Sequence, residues 1–208
     1  EVKDAIAYFR MAVNPDDDEA LRRIINYPTR GIGDTTLKKL IGKAIEDGRS
    51  VWNVISTIDD ETLGMNSGTR KKLNEFKGLI QSFITANNEG VAVDELAVKI
   101  IRETKLLSSL VTDSTPESIS KQENLQELLN GVKDFAETQR ELEGNETPTL
   151  SQYLSQVSLL TDQDEEVDDA QRVTLMTVHA AKGLEFAHVF IVGLEEELFP
   201  SAMASGSP

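Results

Sequence analysis

The sequence predicts a mainly α fold: a multi-helix domain with one helix-hairpin-helix-like turn, followed by a short two-strand piece of an α/β domain. Three observations carry this. Apolar residues recur at helical spacing through most of residues 1 to 160. Two glycines flank a single apolar residue at Gly31-Ile32-Gly33, between two such stretches. After residue 169 the helical period gives way to two short, β-rich apolar runs.

Val2, Ala5, Ile6, Phe9 and Val13 form the first stripe, which Asn14-Pro15 stops. Asp17 or Asp18 can cap the next helix, whose inner face is Leu21, Ile24 and Ile25. Past the glycine turn, Asp34 or Thr35 can cap a third, with Leu37, Leu40, Ile41, Ala44 and Ile45 inward and Gly48 ending it. Ser50 caps a short helix bearing Val51, Trp52 and Ile55. A loop near Gly64 to Gly68 precedes a long helix with Leu73, Phe76, Ile80, Phe83 and Ile84. Val91-Ala92-Val93-Asp94-Glu95 has the letters of a strand ending in metal-binding acids. Leu96, Ile100 and Ile101 continue it at helical spacing, so Asp94 is read as an N-cap. Leu125 to Ala136 and Leu150 to Val157 supply the last two stripes, and all of these faces are read as core.

Residues 1–161 therefore form the helical domain, and the acidic run at 162–169 reads as a solvated linker without metal ligation. Val173 to Val178 and His188 to Val192 resemble buried strands of a parallel sheet, in a partial domain over 170–208. Two strands cannot make such a sheet alone, so the rest of that domain is expected elsewhere. The ending Ser205-Gly206-Ser207-Pro208 reads as an internal boundary of a longer protein.

Composition narrows the functions. The 208 residues carry a net charge of −15, which argues against coating nucleic acid over the whole surface. The charge is segregated, however: Arg22, Arg23, Arg30, Lys38, Lys39 and Lys43 cluster, as do Arg70-Lys71-Lys72. With no cysteine, disulfides and thiolate chemistry are excluded, and His179 and His188 alone do not suggest a zinc site. No apolar run could span a bilayer and no signal pattern opens the chain, so a cytoplasmic protein without a membrane partner is expected.

The loop between the two strands occupies the place where open α/β sheets bind ligands. Thr177 and His179 could reach a phosphate or base, Lys182-Gly183 offers a cation and an unobstructed amide, and Glu185 could accept from a sugar hydroxyl. For each residue alone, an ordinary exposed turn is the competing reading. The whole string Thr177-Val178-His179-Ala180-Ala181-Lys182-Gly183-Leu184-Glu185-Phe186 closely resembles motif V of the UvrD/PcrA/Rep helicases of superfamily 1, usually T-L-H-x-A-K-G-L-E-F. The likeness continues through His188 to Ser201, with Glu197 where the family commonly has glycine. Glu1 to Arg10 is similar to the E-x-K-D-x-x-x-Y-L-R entry into that family's 2B domain.

The resemblance implies a 2B-like domain followed by the motif V part of 2A, a RecA-like domain. It implies that Thr177 and His179 approach single-stranded DNA, and that Glu185, Lys182 and Gly183 serve ATP in the parent enzyme. For Pro28 to Leu37 the residues leave two readings open: a turn whose glycines admit a phosphate to the backbone, or a tight helix-helix turn. The resemblance favours the first, since 2B domains carry a T-R-G-I-G segment that contacts duplex backbone. Thr29, Arg30, Gly31, Ile32, Gly33, Thr35, Thr36, Lys38 and Lys39 are the expected duplex contacts.

No G-x-x-x-x-G-K-[ST] loop, D-E-x-Q motif or following arginine motif occurs. The chain is thus expected to be a DNA-binding and regulatory fragment of an ATP-dependent 3'-to-5' DNA helicase of repair or replication, inactive alone. ATP and Mg2+ would belong to the parent; the fragment would need no cofactor and hold no metal. Its expected partners are DNA with a single/double-strand junction, the remaining helicase domains and repair proteins. The alternatives are a protein-interaction or autoinhibitory helical module, and a free-standing helix-hairpin-helix DNA-binding protein.

Overall fold

A computed structural model of the chain describes residues 1–57, 64–111, 115–143, 147–166, 173, 175–177 and 181–193. They fall in two compact units, Glu1–Glu166 and Val167–Pro208.

Among the described residues the first unit contains nine helices: α1 (Val2–Val13), α2 (Asp18–Ile24), α3 (Asp34–Asp47), α4 (Val51–Thr57), α5 (Ser67–Asn88), α6 (Val93–Thr104), α7 (Leu106–Val111), α8 (Pro116–Glu143) and α9 (Leu150–Glu166). The innermost is α1, which packs against α2, α5, α6, α8 and α9. Its sequence explains why. Ala5, Ala7 and Ala12 let neighbours come close, while Tyr8, Phe9 and Met11 fill the space between, all of them buried. A helix buried on nearly every side must be apolar on nearly every side. The second inner helix, α6, meets α5, α7, α8, α1 and α9 through Val93, Leu96, Ala97, Ile100 and Ile101. Phe135 of α8 and Tyr153 of α9 close the far edge in an edge-to-face pair, with ring centroids 5.4 Å apart.

The acidic run at 16–19 has a local purpose. Asp17 caps α2 by accepting from the Ala20 amide at 3.0 Å and also takes Arg10 Nε at 2.7 Å. Asp18 accepts from the Val51 amide at 2.8 Å, so it helps start α4 from 33 residues away. Asp16 holds Asn53 Nδ2 at 2.8 Å, and Ser50 Oγ accepts from the Asn53 amide as expected of a cap. By contrast α3 buries only Leu40 and Ala44 where it rests on α4, and Ile45, expected to face inward, is 76% exposed because it lies off that face. It is the outlying helix, and the glycine turn leads into it.

Several expectations shift. Neither Asp34 nor Thr35 caps α3: the N-cap is Gly33 and Asp34 is the first helical residue. Likewise Asp94 is not the cap of α6, which starts at Val93 after Ala92. Its carboxylate is instead held by Arg140 of α8 through two hydrogen bonds, at 2.9 and 3.2 Å. The stretch expected to open the linker is helical as far as Glu166. Extending an existing helix fixes one residue per added hydrogen bond, so an anchored helix readily propagates into a solvated charged stretch.

In the second unit the described residues form no strand and no helix, although two strands are expected there. Val173, Leu175, Phe190 and Val192 are 97%, 91%, 89% and 79% exposed. A strand exists only through a ladder to a neighbour, and none of the described residues provides one.

Candidate nucleic-acid interface

The turn from Asn26 to Asp34 is built from behind. Asn26 Oδ1 accepts from the backbone amides of Arg30 at 3.0 Å and Ile32 at 3.1 Å, closing the loop on itself. Ile32 is buried and anchors the tip, while Gly31 and Gly33 on either side are exposed. Gly31 has φ +72°, a left-handed conformation that glycine takes without steric cost.

Arg30 supplies the other half of the support. Its Nη1 donates to the carbonyls of Ile24 at 3.0 Å, Tyr27 at 2.9 Å and Pro28 at 3.3 Å. Its Nη2 donates to the Tyr8 hydroxyl at 2.6 Å, and that hydroxyl donates in turn to the Tyr27 carbonyl. The guanidinium also lies 5.5 Å from the Phe76 ring centroid and 5.7 Å from that of Tyr8. Burial pushes the Tyr8 phenol up to about 12, even though the neighbouring guanidinium pulls the other way. Expected as a duplex contact, Arg30 is turned inward and committed to holding the turn. Five N–H donors in a rigid fork suit it to gather several carbonyls that no helix satisfies.

The outward face of the turn carries Thr29, Gly31, Gly33 and Thr35, all exposed, with Thr36 half-buried. The first two intrahelical bonds of α3 run from Thr36 and Leu37 back to the Gly33 carbonyl. The amides of Asp34 and Thr35 precede them, at the positive end of the helix. Lys38 and Lys39 are exposed one turn on. The exposed Asp34 carboxylate also stands in this first turn, so the face is not uniformly cationic. A residue that motif reading missed comes from α5: Lys72 Nζ donates to the Gly31 carbonyl at 3.3 Å across 41 positions. The run Arg70-Lys71-Lys72 was its signal, but spacing alone could not aim it at this turn.

In the second unit, Ala181, Lys182 and Gly183 form a turn. The Ala181 amide donates to the Thr177 carbonyl at 3.1 Å and the Leu184 amide to the Ala181 carbonyl at 3.0 Å. Gly183 has φ +85°, so its place in the string reflects a left-handed backbone. Lys182, Gly183, Glu185 and Thr177 are exposed; His179 lies outside the described residues. Among the described residues no group of three His, Cys, Asp or Glu side chains could hold a metal ion, and no helix is long and apolar enough to cross a membrane.

The described residues thus comprise a helical unit that presents an exposed glycine turn at Gly31 to Gly33 and, in the second unit, another glycine turn at Gly183. The model of the UvrD-like helicase C-terminal domain matches residues 1–207, and the chain belongs to that family. It is 35% identical to the ATP-dependent DNA helicase PcrA of Bacillus subtilis (strain 168), over 96% of this chain and 27% of that protein. Identity is also 35% to the PcrA proteins of Staphylococcus aureus (strain Mu50) and Staphylococcus epidermidis, over 98% of this chain and 27% of each. The chain thus spans about a quarter of the length of these relatives. The resemblance to UvrD/PcrA-like superfamily 1 helicases, first read from a ten-residue string and an N-terminal segment, holds along nearly the whole chain.

Proposed function

We propose that this chain is the duplex-engaging and regulatory region of an ATP-dependent 3'-to-5' DNA helicase of repair or replication, with residues 1–166 acting as its 2B-like domain. The observation that carries the reading is the Gly31-Ile32-Gly33 turn. Its backbone is exposed, its shape is held from behind by Asn26 and Arg30, and it opens directly into the amino end of α3. Such a turn admits a phosphate oxygen to backbone amides and positions a duplex without reading its sequence. Thr29, Gly31, Gly33, Thr35, Thr36, Lys38 and Lys39 form the contact face; Arg30 shapes it.

Thr177 and His179 are assigned to the single strand, and Lys182, Gly183 and Glu185 to the nucleotide of the whole enzyme. ATP supplies the free energy of translocation there. The residues of this chain do not make a complete site for it, because a sugar-hydroxyl acceptor and one glycine turn cannot hold a triphosphate without a phosphate loop. The chain alone is therefore expected to show no ATP turnover above a contaminant control.

Binding to a single/double-strand junction, followed by fluorescence anisotropy between about 50 and 200 mM salt, tests the duplex assignment. Affinity should fall as salt rises and should weaken with Gly31→Ala and with Lys38→Glu. Indifference to both substitutions contradicts the contact. Feeble DNA binding together with stable association to the remaining helicase domains would instead favour an interaction or autoinhibitory module, to which the charge of −15 lends support.

A further inference from the structure

We infer that Lys72 of α5 is a phosphate-binding residue of the duplex contact, its ammonium group standing against Gly31. The inference rests on the duplex-engaging reading above and adds a residue from a distant helix to it.

Charge pairing separates Lys72 from nine other cations. Arg10, Arg23, Lys43, Arg49, Lys99, Arg102, Lys121, Lys133 and Arg140 all lie within 4.0 Å of a carboxylate, as expected in so acidic a chain. Lys72 has no such partner among the described residues. Its Nζ rests on a backbone carbonyl, that of Gly31, which accepts one of three donors and neutralises nothing. The charge therefore stays available at the mouth of the turn.

The ammonium approaches the open side of Gly31. A Cβ built on Gly31 would overlap the Lys72 ammonium and lie 3.4 Å from its Cε. The ammonium thus stands in the volume that a side chain at position 31 would fill, beside an exposed backbone two residues before the N-cap of α3. A phosphate oxygen brought to this turn would meet the Lys72 ammonium on one side and helix-end amides on the other. Two groups from elements 41 positions apart would then clasp one phosphate, which a helix-hairpin-helix turn alone does not provide.

The test compares Lys72→Gln, Lys72→Arg, Gly31→Ala and Lys38→Glu in the full 208-residue chain, reading junction-DNA affinity against salt and thermal midpoint. Each phosphate contact contributes about 0.9 to the slope of log K against log salt, worth roughly 3.5-fold in affinity between 50 and 200 mM. Lys72→Gln keeps a donor for the Gly31 carbonyl but loses the charge. It should flatten the slope by about 0.9 with an unchanged midpoint, and Lys72→Arg should restore the slope. The double variant Gly31→Ala with Lys72→Gln should lose no more slope than Lys72→Gln alone, since alanine already displaces the ammonium. A wild-type slope for Lys72→Gln, beside weakened binding by Lys38→Glu, overturns this inference and leaves the duplex reading standing. A lowered midpoint with an unchanged slope makes Lys72 a prop of the turn and also overturns it. Wild-type binding by every variant brings down the duplex reading itself.

Discussion

Phe9 and Phe190 are the same residue type in the two units, yet one is fully buried and the other is 89% exposed. The contrast extends to their surroundings. In residues 1–166 almost every apolar stripe read from the sequence is covered by another helix, whereas Val173, Leu175 and Val192 face solvent. A helix satisfies its own backbone and needs only a neighbour for one face. A strand must find its hydrogen-bond partners in another segment as well as cover for two faces. The helical unit carries its partners within the chain, and the described part of the second unit does not.

Substitutions can break that contrast. Phe9→Ala should cost about 4 kcal/mol, from lost transfer free energy plus a cavity that the crowded α1 neighbours cannot fill. Urea unfolding would read it, and a loss below about 1 kcal/mol would mean that α1 is not the centre of the fold. Arg30→Lys should cost about 2 kcal/mol, because one ammonium cannot satisfy three carbonyls and a phenol in the geometry of a guanidinium. An unchanged midpoint would return Arg30 to the surface. Asp94 sharpens the comparison at a smaller scale. Burial pushes its carboxyl up, but the Arg140 guanidinium and two backbone amides outweigh that and hold it below its ordinary value. Its folded pKa is depressed, so its contribution is present at neutral pH and lost as pH falls through the folded value. Arg140→Ala should lower the midpoint slightly at neutral pH and less in acid. Smallest of all, Phe190→Ala should change stability by under about 0.5 kcal/mol, and a larger loss would show that this residue is covered after all.

Alkali acts on the same support. The Tyr8 phenol is raised from its ordinary 10.0 to about 12, so the folded state favours the neutral hydroxyl. Its contribution is complete below pH 10 and should be lost as pH rises from about 10 to 12, as denaturation followed across that window would show. Tyr8→Phe should abolish this component of the pH dependence.

What could be read in advance follows the range of each interaction. The stripes of α1, α5 and α6 were legible, because side-chain spacing reports a helix face directly, and that of α3 was legible except at the exposed Ile45. The caps at Asp17 and Ser50 and the stop at Gly48 were legible too, each being settled within three or four residues. Asp94 was misread because its partner lies 46 positions away, where local capping rules cannot see it. Arg30 was assigned outward for the same reason: its inward turn depends on Tyr8 and Phe76, from two other helices. The two glycines of the turn could be read, but the neighbour of one of them could not. Gly31 meets Lys72, and only the packing of α5 brings them together. Of the family string, Lys182 to Glu185 fall in or beside a turn whose left-handed Gly183 makes sense of the letters, and the described residues around it form no strand.

The central claim, that the Gly31 turn meets duplex DNA, is tested most directly by amide hydrogen exchange of the 208-residue chain with and without a single/double-strand junction. Slower exchange at Gly31, Gly33, Asp34 and Thr35 on adding DNA, with the amides of α8 unchanged, is the expected result. Protection on other surfaces with these four amides untouched would contradict it.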